Sequence, residues 1–342
     1  MRALVKLAPG RGNVAIAERE PRRLGSGEVA LDVLAAGVCG TDLHIVEDEY
    51  RCEPPVTMGH EVCGVVAELG DGVDAGLLGL RVVCETYFST CERCEWCRDG
   101  RTNLCPERRS IGSFEDGAFA PRLVVPARNV HPVPEWLDAP AASLAEPLAC
   151  VCQCLLDPGV VSPGDEVLVT GPGPVGLIAA QVARAEGGRV LVVGTAQDAV
   201  RLDAARALGF ETALPDGPGG LDRFAAPGGA DVVVECSGTG SGASCCAGHA
   251  RRGGRYVQIG LVGRPAEFPL DELCFRELTV TSGFAATPRS WRRAMALIEG
   301  RRVDLAALVS EVAPLDDWER VFDDLRTQKA IKIVFDPRLG AD

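Results

Sequence analysis

The sequence predicts an α/β protein built from a β-rich domain and a doubly wound parallel-sheet domain. Three observations carry this prediction. Short apolar runs broken by Gly and Pro fill the first part of the chain. From "EVLVT" onward, strand-like and helix-like runs alternate. The 342 residues, 46% hydrophobic and 24% charged, have room for roughly two domains with sizeable cores.

In chain order, residues 1–30 read as short strands interrupted by "APGRGN" and "EPRRLGSGE". "EVALDVLAAGVCGTDLH" begins as an alternating strand and ends in a polar turn, "MGHEVCGVVAELG" is a loop entering a strand, and "LRVVCET" is another short strand. "SLAEPLACVCQCLL" reads as a helix. A β-α-β unit follows: the apolar strand "EVLVT", the turn "GPGPVG", the helix "LIAAQVARAEG" and the strand "RVLVVG". "VRLDAARALG", "DVVVECSG", "GGRYVQIG" and "LTVTSG" continue the alternation, and "RTQKAIKIVFDP" reads as a β-strand returning to the first domain. There is no internal repeat.

Composition narrows the function. A net charge of -13 argues against a nucleic-acid partner, because phosphate binding draws on clustered Lys and Arg. The basic pairs Arg108-Arg109 and Arg251-Arg252 read as solvated surface. "MRALVKLAPG" lacks the apolar stretch of a signal peptide, and no apolar run reaches the roughly 18 residues of a membrane span. Fifteen cysteines without an export signal predict a reducing, cytoplasmic location, where close cysteine clusters bind metal more often than they form disulfides.

"CERCEWCRDGRTNLC" has the spacing C-x2-C-x2-C-x7-C. Cys91, Cys94, Cys97 and Cys105, on a loop turned by Gly100, Asn103 and Pro106, suit one tetrahedral Zn2+. An iron–sulfur cluster also takes four cysteines, but ligand type and spacing favour zinc. Four protein ligands close the site, which makes it structural.

Gly171, Gly173 and Gly176 fit G-x-G-x-x-G between a predicted strand and a predicted helix that begins with Pro174 and Val175. That context turns a weak motif into a dinucleotide turn, with the pyrophosphate at the helix N-terminus. The acid that normally ends the second strand is missing. Gly194 and Thr195 stand there, with Asp198 a little later and Arg201 a helical turn further on. A 2′-phosphate meets no repelling carboxylate, yet Asp198 remains within reach of a ribose, so NAD and NADP both stay open. Upstream, "CGTDLH" and "GHE" bring a Cys, a His and carboxylates within a short span, enough for an open zinc site.

These motifs, in this order and over essentially the whole chain, resemble the zinc-dependent medium-chain dehydrogenases, and most closely the sorbitol (polyol) dehydrogenase branch. The resemblance implies a GroES-like catalytic domain holding both zincs (residues 1–148 and 283–342) and an inserted Rossmann NAD(P)-binding domain (residues 149–282). Cys39 and His60 match the first two catalytic zinc ligands. "AEPLAC" places Glu146 where alcohol dehydrogenases proper have a third, cysteine ligand, although Cys150, Cys152 and Cys154 lie nearby. Glu61 matches a carboxylate that is a ligand or a water partner. Asp42 matches a residue that orients the zinc histidine. Thr41 matches the hydroxyl that passes the substrate proton, and His44 the imidazole that carries it to solvent through the cofactor ribose.

Two departures stand out. Ile45 replaces an aromatic residue, and Ala285, in "GFAATPRSW", aligns with an arginine that holds a polyol hydroxyl; Arg289 is the nearest substitute in sequence. The expected activity is reversible oxidation of a secondary alcohol (a polyol, sugar alcohol or cyclitol) to a ketone, with zinc and NAD or NADP, in a homo-oligomer (dimer or tetramer). The alternatives are a butanediol-type enzyme for less polar alcohols and a non-catalytic NAD(P) sensor.

Overall fold

The run "EVALDVLAAG" forms the ten-residue strand Glu28–Gly37, around which the first sheet is organised. It pairs antiparallel with Glu61–Leu69 along one side. Its other side takes Arg122–Pro126 at one end and Lys332–Phe335 at the other. The returning tail is therefore a strand of this sheet, and Val309–Ala313 lies parallel to it beyond. Arg81–Cys84 and Val130–Pro132 complete the opposite edge. Val33, Ile45, Val62, Phe119, Phe322 and Phe335 meet in the core beneath, where Phe119 and Phe335 pack edge to face at 5.1 Å. A small ribbon, Tyr87–Ser89 with Arg109–Ser110, brackets the four-cysteine segment.

The structure is a computed structural model that describes residues 1–217, 221–224, 228–263 and 265–340. The chain divides into two units, residues 1–146 with 309–342 and residues 147–308. The second unit holds one sheet of six parallel strands. Their spatial order is Glu211–Ala213, Arg189–Val193, Glu166–Thr170, Ala230–Glu235, Ala250–Gln258, Thr279–Ser282. In chain order this is 3-2-1-4-5-6, so the winding reverses between the first and fourth strands. Val167, Leu168, Val169, Val232, Val233 and Val234 are fully buried, as expected of parallel strands covered on both faces. No described helix is long and apolar enough to cross a membrane.

Two local readings differ from the structure. "CGTDLH" is not a polar turn but the start of the helix Gly40–Val46. The helix forms because the Asp42 carboxylate accepts from the Cys39 N–H at 2.9 Å, capping the start, while Ile45 and Val46 bury its underside. Residues 283–308, grouped by the sequence reading with the first domain, lie in the second unit. The Thr287 hydroxyl donates to Asp157 at 3.3 Å, and the Asp304 N–H donates to Gln181 Oε1 at 2.6 Å.

Candidate active site and metal centres

Cys39 caps the Gly40–Val46 helix, and the other two residues of its cluster, His60 and Glu61, stand where a loop enters the Glu61–Leu69 strand. One ligand atom from each of Cys39, His60 and Glu61 lies within 4.8 Å of the others. Gly59 makes the approach possible. Its φ is +90°, and a Cβ there would run into the Phe119 ring. A thiol, an imidazole and a carboxylate at this spacing fit a tetrahedral zinc with bonds of about 2.0–2.3 Å.

Asp42 is fully buried. Its Oδ1 has no hydrogen bond and lies 3.7 Å from His60 Nδ1, a gap that a small ring rotation closes. Burial raises the Asp42 pKa, against the pull of His60 and the Cys39 N–H. Burial works to lower the pKa of His60, but Asp42, Cys39 and Glu146 carry it well above its ordinary value. Glu146 is buried in the first turn of the helix Ala145–Leu155 and is not one of the three closest ligand groups. Burial raises the pKa of Tyr50.

Thr41 and His44 are three residues apart, so they share one face of the short helix. Thr41 Oγ1 lies 3.8 Å from Cys39 Sγ. His44 is partly exposed and shares a 2.7 Å hydrogen bond with Glu49 Oε2. Ile45 points the other way, fully buried in the core. An aromatic residue missing at this position therefore alters packing, not the centre. Arg289 and Arg293 both lie 3.6 Å from Asp157 Oδ1, and Arg289 is largely exposed.

Sequence reasoning missed Lys332. Its Nζ donates to both Glu61 oxygens at 2.8 Å and to Val38 O at 2.8 Å, and both side chains are buried. The one signal was a lone lysine inside the apolar strand "AIKIVF". Burial lowers the Lys332 pKa, and Glu61 together with Cys39 and Asp42 more than offsets this, leaving it raised. The pair fixes Glu61 beside Cys39 and His60.

Cys91, Cys94, Cys97 and Cys105 converge with their sulfurs within 4.8 Å of one another. The Cys91 and Cys97 sulfurs are 3.9 Å apart, close to the edge of about 3.8 Å that Zn–S bonds of about 2.3 Å require. The N–H groups of Cys91, Cys94 and Cys97 point at the sulfurs of Cys105, Cys91 and Cys94 at 3.4–3.5 Å. Backbone N–H groups of Arg93 and Cys94 bring the Cys91 thiol down to about 6. The cluster fits a closed zinc site.

In the second unit, Gly171 follows the Glu166–Thr170 strand with φ +83°, and a Cβ there would come 2.5 Å from Ser237 N. Gly173 caps the helix Pro174–Ala185 with no side-chain hydrogen bond, which leaves the first N–H groups to an anion; Pro174 and Val175 form the first turn. A Cβ at Gly176 would collide with Gly171 O. This is the backbone that a pyrophosphate needs. Asp198 Oδ2 accepts from both N and Oγ1 of Thr195 at 2.9 Å, so this oxygen is occupied locally. Arg201 lies 3.8 Å from Asp198 Oδ1 and about one contact from the turn, 4.0 Å from a Cβ built at Gly173.

Residues 25–135 match the alcohol dehydrogenase GroES-like domain, and residues 174–300 match the zinc-binding dehydrogenase domain. The sorbitol dehydrogenase of Halalkalibacterium halodurans is 35% identical, over 98% of this chain and 99% of that protein. The D-arabitol-phosphate dehydrogenase of Enterococcus avium is 28% identical, over 98% and 97%. Among solved structures, a zinc-binding dehydrogenase of Sinorhizobium meliloti bound to NADP superimposes with a TM-score of 0.88 at 30% identity, over 98% of this chain and 99% of that one. With two metal-ligand clusters, a dinucleotide turn and whole-length identity of this order, the chain belongs to the zinc-dependent medium-chain dehydrogenases and is similar to their sorbitol dehydrogenases.

Proposed function

We propose that this dehydrogenase interconverts the secondary alcohol of a polyol, sugar alcohol or cyclitol and the matching ketone, using Cys39, His60 and Glu146, with Glu61 beside them, as the catalytic zinc set. The observation that carries this reading is the gathering of Cys39, His60 and Glu61 within 4.8 Å. When bound, the metal supplies Lewis acidity and the dinucleotide accepts or gives the hydride.

The chain's own part is to orient and to move a proton. Asp42 steadies His60 through Nδ1 and holds Cys39 through its N–H. Thr41, beside Cys39, takes the proton from the substrate hydroxyl. His44, one turn on, passes it through Glu49 to solvent. Lys332 holds Glu61 in place through both carboxylate oxygens. Cys91, Cys94, Cys97 and Cys105 hold a second, structural zinc. Gly171, Gly173, Pro174, Val175 and Gly176 would hold the pyrophosphate, and Thr195 and Arg201 would meet the adenosine ribose. In this reading the first unit carries the metal chemistry and the second the cofactor.

A butanediol-type reading is favoured by one observation. Ala285 stands at the family's polyol-holding arginine, and Arg289, 3.6 Å from Asp157, is largely exposed. A panel of polyols, cyclitols and simple diols with NAD and NADP, followed at the reduced-nicotinamide absorbance band, decides between them. Turnover is expected to be highest on polyhydroxylated substrates. No turnover on any secondary alcohol by zinc-replete protein would overturn both readings.

We also infer a homo-oligomer acting in the cytoplasm. The edge strand Thr279–Ser282 leaves Val280 48% exposed, and the neighbouring helix Leu270–Phe275 exposes Leu270 and Phe275 at 67% and 69%, an unusual outlay of apolar surface for a free sheet edge. The fifteen free cysteines suit a reducing compartment. Light scattering on the eluted protein gives the oligomer mass; a monomer contradicts the inference.

A further inference from the structure

Glu235 ends the Ala230–Glu235 strand and is fully buried. Its Oε1 accepts from Ser237 N at 2.7 Å, Gly238 N at 3.2 Å, Thr170 Oγ1 at 3.5 Å and the Ser237 hydroxyl. Its Oε2 accepts from Gly238 N at 3.2 Å and Gln258 Nε2 at 2.7 Å. Its main-chain oxygen takes the N–H groups of Ile259 and Gly260 at 2.9 Å. One side chain thus ties together the carboxyl ends of three adjacent strands, Glu166–Thr170, Ala230–Glu235 and Ala250–Gln258. Space is kept for it by glycines. A Cβ at Gly260 would come 2.6 Å from Oε2, and one at Gly242 2.7 Å from Oε1. Gly171 of the dinucleotide turn packs directly on Ser237, the first residue that Glu235 holds.

A carboxylate is costly at a dry site unless hydrogen bonds satisfy it, and here both oxygens accept from neutral N–H and O–H donors. The place matters. Winding reverses between Glu166–Thr170 and Ala230–Glu235, the point where a doubly wound sheet takes its ligand. In a sheet of this order one nucleotide half would lie toward Arg189–Val193 and the other toward Ala230–Glu235 and Ala250–Gln258. The oxidised nicotinamide ring is cationic, and the reduced ring is neutral.

We propose that Glu235 is a positioning residue that builds the floor of the nicotinamide half of the crevice, and that its fixed charge makes the chain bind oxidised cofactor preferentially over what a neutral floor would allow. This rests on the reading of the second unit as an NAD(P) site. Glu235→Gln keeps the shape and removes the charge. Gln258→Lys keeps Glu235 and neutralises it with an adjacent ammonium, and serves if the first variant does not fold.

The test is equilibrium titration of the zinc-replete full chain and both variants with NAD, NADH, NADP and NADPH, read by protein fluorescence or calorimetry. In each variant the ratio of oxidised to reduced Kd should rise by about tenfold, the scale of one charge acting on another in a partly buried crevice. A parent that binds neither cofactor form overturns the NAD(P) reading and this proposal with it. A parent that binds normally, with variants whose ratio is unchanged, overturns the proposal alone.

Discussion

An ammonium and a carboxylate meet at Lys332 and Glu61 where water does not reach, and all three Lys332 donors are used. Removing only the lysine strands a buried charge. Lys332→Met is expected to cost about 3–5 kcal/mol in urea unfolding, with most of it recovered when Glu61→Gln is added. A single variant as stable as the parent contradicts this. The pH dependence has a definite sign. Burial opposes the raised Lys332 pKa, and Glu61 together with Cys39 and Asp42 produces it, so the pair stabilises fully below the unfolded-state value and is lost only as pH rises through the folded value, above 10.5. Alkaline unfolding monitored by circular dichroism should contain a component that Lys332→Met lacks. At Glu146, a carboxylate is a harder and more labile zinc ligand than a thiolate. Glu146→Gln should weaken retention of the catalytic zinc and sharply lower turnover while sparing the cysteine-bound zinc; normal metal content and rate would make Glu146 an ordinary helix-start residue. Cys39 and His60, which short motifs propose as ligands, come together with Glu61 in the structure. Lys332 could not be read from a motif, because it reaches Glu61 across 271 residues and only strand pairing brings the two together.

At the scale of elements, the four-cysteine lobe is the most legible. Its spacing names its own ligands, and the sulfurs converge as that spacing requires. Cys94→Ser opens a closed site. Metal analysis should fall from about two zinc ions per chain to about one, and amide exchange across residues 91–105 should quicken. Retention of both ions with unchanged exchange would refute the structural role. The helix Gly40–Val46 was illegible for a physical reason. Seven residues beginning Gly-Thr carry no helical period worth reading. The helix exists because Asp42 caps its start and Ile45 and Val46 find a core supplied by distant strands. That helix sets Thr41 and His44 on one face, so the proposed proton path depends on a piece of structure that the local sequence does not announce.

Across the whole molecule, the alternation of strand and helix runs was enough to anticipate a doubly wound sheet, and the order 3-2-1-4-5-6 places the glycine turn at its reversal. The boundary near residue 308 was not visible. Residues 283–308 stay with the second unit through Asp157 and Gln181, polar contacts that no local pattern reveals. Two units with separate tasks should respond separately to loss of metal. His60→Ala is expected to abolish alcohol oxidation while leaving the Kd for NAD(P) within about twofold of the parent, a change too small to signal a lost contact. The most direct test of the account is zinc removal and return on the parent protein. Chelation of the exchangeable zinc should bring turnover of a secondary alcohol to background with cofactor binding intact, and added Zn2+ should restore it. Turnover that persists in protein shown by metal analysis to lack the catalytic zinc would contradict the assignment of Cys39, His60 and Glu146 as its ligands.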